Sequence, residues 1–135
     1  MSRKKARIGQ MQALFQMEAN KDFSKDCLDI FIENSSFSED EKKYIEENTI
    51  EAMDYLENID KTIIDNLQNW SFSRLASVDK AILRISVYEI LYKEDIPAEV
   101  SINEAVEISK EYGSNESPKF INGVLGSIYR SLNQN

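Results

Sequence analysis

The run VDKAILRISVYEILY, from Val78 to Tyr92, restricts the fold of this chain more than any other stretch. Wound as a helix, Ala81, Ile82, Leu83, Ile85, Val87, Tyr88, Ile90 and Leu91 leave almost no polar face. A helix that is apolar on nearly every side belongs at the centre of a molecule, so other helices must surround it. Asp79 and Lys80 are the chief polar positions at its start. With four glycines, two prolines and no useful polar/apolar alternation, the remaining sequence also reads as helical. The expected fold class is therefore all-α, about seven helices in two packed bundles. The bundles cover about residues 1–69 and 76–132, joined at NWSFSRLAS within a single domain spanning 1–135.

Several helix ends are legible. Ser38-Glu39-Asp40-Glu41 is a capping-box pattern, in which serine accepts a backbone N–H while the glutamate reaches back. Ser101-Ile102-Asn103-Glu104 repeats it, Gly113 suits a left-handed stop, and Ser117-Pro118 suits a cap followed by proline at the first helical position. The expected helices run near Arg3–Asn20, Cys27–Glu33, Glu39–Leu56 and Ile59–Asn69, followed by the central helix and two more. The last carries Ile121, Leu125, Ile128 and Leu132 at helical spacing.

The available side chains exclude much chemistry. There is no histidine, which removes histidine-dependent triads, and one cysteine cannot supply the usual zinc sets. The glycines form no phosphate-binding loop, and nothing local pairs carboxylates as acid and base. No catalytic residue, cofactor or metal is expected. The lone Cys27 rules out an intramolecular disulfide, reads as buried filler and fits a reducing cytoplasm. Neither a membrane span nor a signal peptide is legible.

Charge is unevenly spread. The net charge is −8, and residues 18–65 alone carry 15 acids against five lysines. Most of such a surface repels phosphate, so any nucleic-acid site must be local. Yet Arg3, Lys4, Lys5 and Arg7 precede the first acid, in a helical turn whose dipole disfavours cations. Two readings stand: a frayed, solubilising end, or an arm that docks RNA, DNA or an acidic protein. At SPKFINGVLGSIYR, Lys119, Phe120 and Asn122 could take a phosphate, stack a base and bond its edge. Core packing is the other reading of Phe120. Gly123 and Gly126 each cost about 1 kcal/mol in a helix interior, and close helix packing is the expected reason, ahead of close approach by a ligand.

The stretch from Trp70 to Ile128 resembles the C-terminal half of the NusB family of bacterial transcription antitermination factors. The shared elements are Trp70 with Arg74 and Leu75, Ile82-Leu83-Arg84, Tyr88-Glu89, Ile96-Pro97, Ile102-Asn103-Glu104-Ala105 and Phe120-Ile121-Asn122-Gly123-Val124-Leu125. Arg7 with Gln12-Ala13-Leu14-Phe15-Gln16 is similar to the family's first helix. The resemblance implies a NusB-like fold and pairing with NusE, a small-subunit ribosomal protein. The pair would bind boxA RNA of nascent ribosomal transcripts, within an RNA polymerase elongation complex holding other Nus factors. It implies an RNA surface of Arg3, Lys4, Lys5, Arg7, Glu116, Lys119, Phe120 and Asn122, and a NusE-facing set of Phe15, Asp79 and Lys80. Some family members self-associate, so a homodimer is possible on the same grounds. The alternatives are a helical protein adaptor without RNA binding, or a detached N-terminal domain of a ribosomal-RNA cytosine methyltransferase.

Overall fold

A computed structural model describes residues 1–134. Seven α-helices occupy them: α1 (Arg3–Asn20), α2 (Lys25–Glu33), α3 (Glu39–Asp54), α4 (Leu56–Asp65), α5 (Ser77–Tyr92), α6 (Ala98–Tyr112) and α7 (Ser117–Leu132). A short 3-10 turn, Phe72–Arg74, lies between α4 and α5. No strand occurs among the described residues, and none of these helices is long and apolar enough to cross a membrane.

The central position of α5 follows from its sequence. Every residue from Asp79 to Glu89 is buried, and α5 packs against α1, α3, α4, α6 and α7. One continuous core results. Leu14, Met17 and Leu28 share it with Ile59, Ile63, Ile82, Leu83, Tyr88, Ile121, Leu125 and Ile128. The helices before and after α5 are thus two sides of one packed body.

Burial of α5 extends to its charged positions, and each is met across a helix interface except one. The Arg7 Nε donates to Glu89 Oε2 at 2.8 Å, and Ser101 Oγ donates to Glu89 Oε1 at 2.7 Å. Arg84 forms a fork on Asp60, with both N–H···O bonds at 2.9 Å. Lys80 Nζ donates to Glu18 Oε1 at 2.8 Å, and the Tyr88 hydroxyl meets Asn48 and Glu51. Charged groups tolerate such burial only when paired this way. The exception is Asp79, whose Oδ1 is enclosed with no hydrogen-bond partner among the described residues.

The two α1–α5 ion pairs also set direction. Arg7 pairs with Glu89 and Glu18 with Lys80, so the helices run antiparallel. At about 1.5 Å rise per residue, the pairs lie about 15 Å apart along the axis. Ser101 near the start of α6 meets the far end of α5, while Tyr129 near the end of α7 donates to Glu99. Hence α6 is antiparallel to both neighbours, and α7 starts at the same end of the molecule as α5.

The helix ends differ from expectation in instructive ways. At Ser38 the capping box forms as read, with both hydrogen bonds present. At Ser101 it does not. Pro97 caps α6 four residues earlier, its carbonyl accepting from Val100 at 2.9 Å, and the Ser101 hydroxyl is taken by Glu89. Gly113 is extended (φ −96°, ψ −170°) rather than left-handed. Its need for glycine is steric: a Cβ there would lie 2.7 Å from Ser117 Cβ and 2.9 Å from the Ser109 carbonyl oxygen. Ser117 is the first residue of α7 rather than its cap, and its Oγ accepts from Ser114 N. The fourth helix runs from Leu56 to Asp65, shorter at its far end than Ile59–Asn69. Cys27 is buried as read.

Candidate nucleic-acid interface

The residues singled out from sequence fall into three places. The first is the tip of α1. Ser2 caps the helix, its Oγ accepting from Lys5 N at 3.2 Å, and Ser2 N donates to Glu41 Oε2 at 3.0 Å. The other oxygen of Glu41 accepts from Ser38 N at 3.1 Å, so one carboxylate joins the starts of α1 and α3. The backbone N–H groups of Ser2 and then Ser38 hold that carboxyl below the usual range. Arg3 lies over the Tyr44 ring at 5.3 Å, while Lys4 and Lys5 are exposed.

Arg7 does not join this group. It is only 6% exposed and spends its guanidinium on Glu89 inside the molecule. It lies about one turn further into the helix than Arg3, where α1 packs on α5. The exposed basic tip is therefore Arg3, Lys4 and Lys5, while Arg7 is held in a buried ion pair.

The second place is a cleft between α7 and the α4–α5 connection. Trp70, 60% exposed, meets Phe120 edge-on with ring centroids 5.5 Å apart. On one side of Trp70 a cleft of about 580 Å³ is lined by Glu116, Lys119, Phe120, Gly123 and Arg130 of α7, with Asn66 and Gln68 opposite. On the other side a cleft of about 340 Å³ holds Arg74, Asp79, Glu116 and Phe120. Lys119, Gly123 and Arg130 recur at helical spacing, so one stripe of α7 carries two cations past an opening.

Gly123 reverses its sequence reading. A Cβ built there would meet nothing within 4 Å, so close helix packing does not explain it; at Gly126 the nearest contact is the tip of Arg130. Phe120 is half-buried against the core, with one edge left to Trp70. Asn122 is exposed but lies about 100° round the helix from Gly123, off the cleft.

The third place holds Phe15 and Lys80. Phe15 is 37% exposed, one turn before Glu18. Lys80 is 8% exposed, bonded to Glu18 and set over the Phe72 ring at 4.8 Å. Its ammonium holds the Glu18 carboxyl below the usual range, aided by Arg84 against the opposing effect of burial. Lys80 is therefore engaged within the molecule, with little of its side chain at the surface. Asp79, its neighbour in sequence, is 9% exposed and lines the smaller Trp70 cleft.

These places are not contiguous. The basic tip lies at the Glu89 end of α5, while the cleft lies at its Asp79 end. A ligand touching both must run the length of the α1–α5 pair. Sequence reading missed Trp70, Arg74 and Arg130 as site residues. The helical spacing of Lys119, Gly123 and Arg130 could have exposed the last, but nothing local announces that Trp70 faces Phe120.

The chain is thus an acidic all-helical protein that carries a local basic tip and a local cleft of aromatic and basic residues. The NusB family model matches residues 4–130, and the chain belongs to the NusB family. Among named relatives, the transcription antitermination protein NusB of Alkaliphilus oremlandii is 46% identical over 126 residues, covering 93% of this chain and 91% of its own. The NusB structure of T. maritima superposes with a TM-score of 0.86 at 36% identity, covering 96% of this chain and 92% of that one. A crystal structure of antitermination factors NusB and NusE with double-stranded RNA matches at a TM-score of 0.85 and 25% identity, covering 96% of each chain.

Proposed function

We propose that this protein is a transcription antitermination factor that binds boxA RNA of nascent ribosomal transcripts as a heterodimer with NusE, helping RNA polymerase resist termination. The observation that carries this reading is the match to NusB across nearly its whole length, joined to a fold neighbour solved with NusE and RNA. The surface supports it. Net charge is −8, yet Arg3, Lys4 and Lys5 project together, and Lys119, Arg74 and Arg130 surround an exposed tryptophan. Cations release counterions from phosphate, and aromatic faces stack unpaired bases. Exposed Phe15, on the outer side of α1, is the best remaining candidate for contact with NusE.

In vitro transcription across a terminator placed after a boxA leader tests this function. Adding the protein with NusE and the other Nus factors should raise read-through, and scrambling boxA should abolish the gain. Equal read-through on both templates would refute it.

A further inference from the structure

The basic tip of α1 stands where a helix resists it. Arg3, Lys4 and Lys5 fill a first turn that holds no acid, so the helix dipole opposes all three. The N–H groups of a first turn also lack partners within their own helix, and such ends fray. Here the turn is held from outside. Glu41 is buried and gives one oxygen to each of two helix starts, Oε2 to Ser2 N at 3.0 Å and Oε1 to Ser38 N at 3.1 Å. Ser2 Oγ in turn accepts from Lys5 N. About one turn further along α3, the Tyr44 ring meets the Arg3 guanidinium. A guanidinium has five N–H donors, so contact with a ring leaves donors for phosphate.

We propose that Glu41 is a positioning residue for RNA: through Ser2 it holds Arg3, Lys4 and Lys5 in a preformed helical turn, so that the strand meets an ordered arm; the proposal rests on the RNA-binding reading above. A loose arm must be ordered as it binds, and affinity falls with the fraction of time it spends out of shape. A carboxylate suits this task because both of its oxygens accept. An amide offers one oxygen and an NH2 group that would face a donor, so glutamine can serve one helix start but not both.

The sign of the effect sets this role apart from simple charge. Glu41 is a negative group beside cations that meet phosphate, so Coulomb's law alone makes its neutralisation tighten RNA binding. A holding role makes the same neutralisation weaken it. Freeing the backbone of one arm residue lowers affinity about fivefold or more. A solvent-screened charge about a Debye length from the strand changes it less than about twofold. Holding therefore wins.

The test uses the full chain with NusE and a labelled boxA RNA, read by fluorescence anisotropy across a salt series. Glu41→Gln should bind about fivefold more weakly at every salt concentration, with the slope unchanged because the same cations still reach the phosphates. In a chain whose Arg3, Lys4 and Lys5 are already glutamine, Glu41→Gln should change nothing, since no arm remains to be held. Ser38→Ala removes a cap bond from α3 and leaves Ser2 on Glu41, so it should lower the melting temperature yet keep the RNA affinity. Nitrogen-15 relaxation of the free protein reads the arm directly. Order parameters at Arg3, Lys4 and Lys5 should fall from about 0.85 to below about 0.6 in Glu41→Gln. Ser2→Pro deletes the N–H given to Glu41 and the Oγ given to Lys5 without touching α3, and should show the same losses if Glu41→Gln fails to fold. Tighter or unchanged RNA binding by Glu41→Gln would overturn the proposal, as would a loss that persists without the three cations. Rigid amides at those positions in Glu41→Gln would overturn it with no RNA present. Failure of the unaltered chain with NusE to bind boxA RNA would instead overturn the RNA-binding reading, and the arm's role with it.

Discussion

Arg7 and Lys4, three residues apart on the same helix, do opposite work. Arg7 completes a buried ion pair with Glu89, at side-chain exposures of 8% and 2%. Removing one member of such a pair leaves the other charge stranded, so Arg7→Ala should destabilise the fold by about 3–5 kcal/mol, read by urea denaturation. Arg3, Lys4 and Lys5 hold up little of the fold. Replacing all three with glutamine should leave the denaturation midpoint nearly unchanged but flatten the salt dependence of RNA binding. At about 0.7 per single-stranded phosphate contact, the slope should change by roughly 2. Glu116 lines both clefts, and a carboxylate beside bound phosphates would oppose them, so on the proposed function Glu116→Gln should bind boxA RNA more tightly in the same titration. Weaker binding by that variant would place Glu116 in a contact that needs its charge.

Among the elements, the glycines separate by what surrounds them. Gly9 lets α1 approach α3, since a Cβ would collide with the Ile45 Cδ1 and lie 3.1 Å from Phe37. Gly113 lets α6 turn into α7 against Ser117. Gly123 meets nothing, so Gly123→Ala should raise stability by about 0.5–1 kcal/mol through helix propensity alone, whereas Gly113→Ala should lower it. Thermal melts of the two variants would show opposite shifts. The same contrast explains what sequence could reveal. The capping box at Ser38 was legible because all its partners lie within four residues. The one expected at Ser101 failed because Glu89, twelve positions away, claims the hydroxyl. Helix count and the central place of Val78–Tyr92 follow from periodicity. The engagement of Arg7 with Glu89, 82 positions away, and of Trp70 with Phe120 are facts of tertiary packing and carry no local signal.

At the scale of the whole molecule, a few carboxylates join parts that are distant in sequence. Glu41 joins the starts of α1 and α3, and Glu18 joins α1 to Lys80 and Arg84. Both have folded-state pKa values below the ordinary 4.5. In the window beneath that value the unfolded chain takes up protons that the folded chain refuses. Their stabilisation is therefore complete above about pH 4.5 and is lost as pH falls through the folded values. Urea midpoints measured from pH 7 downward should fall steeply in that window, and Glu18→Gln should be less stable at pH 7 with a shallower acid limb. The largest arrangement is the separation of basic tip and aromatic cleft along the α1–α5 pair, so on the proposed function an RNA that engages both must be extended. Fluorescence anisotropy with labelled boxA RNA and a scrambled control, titrated with this protein alone and with NusE at two salt concentrations, tests that most directly. Selective binding that tightens with NusE, and is weakened separately by the Arg3, Lys4 and Lys5 replacement and by Trp70→Ala, is the expected result. Equal affinity for boxA and the scrambled strand with NusE present would contradict it.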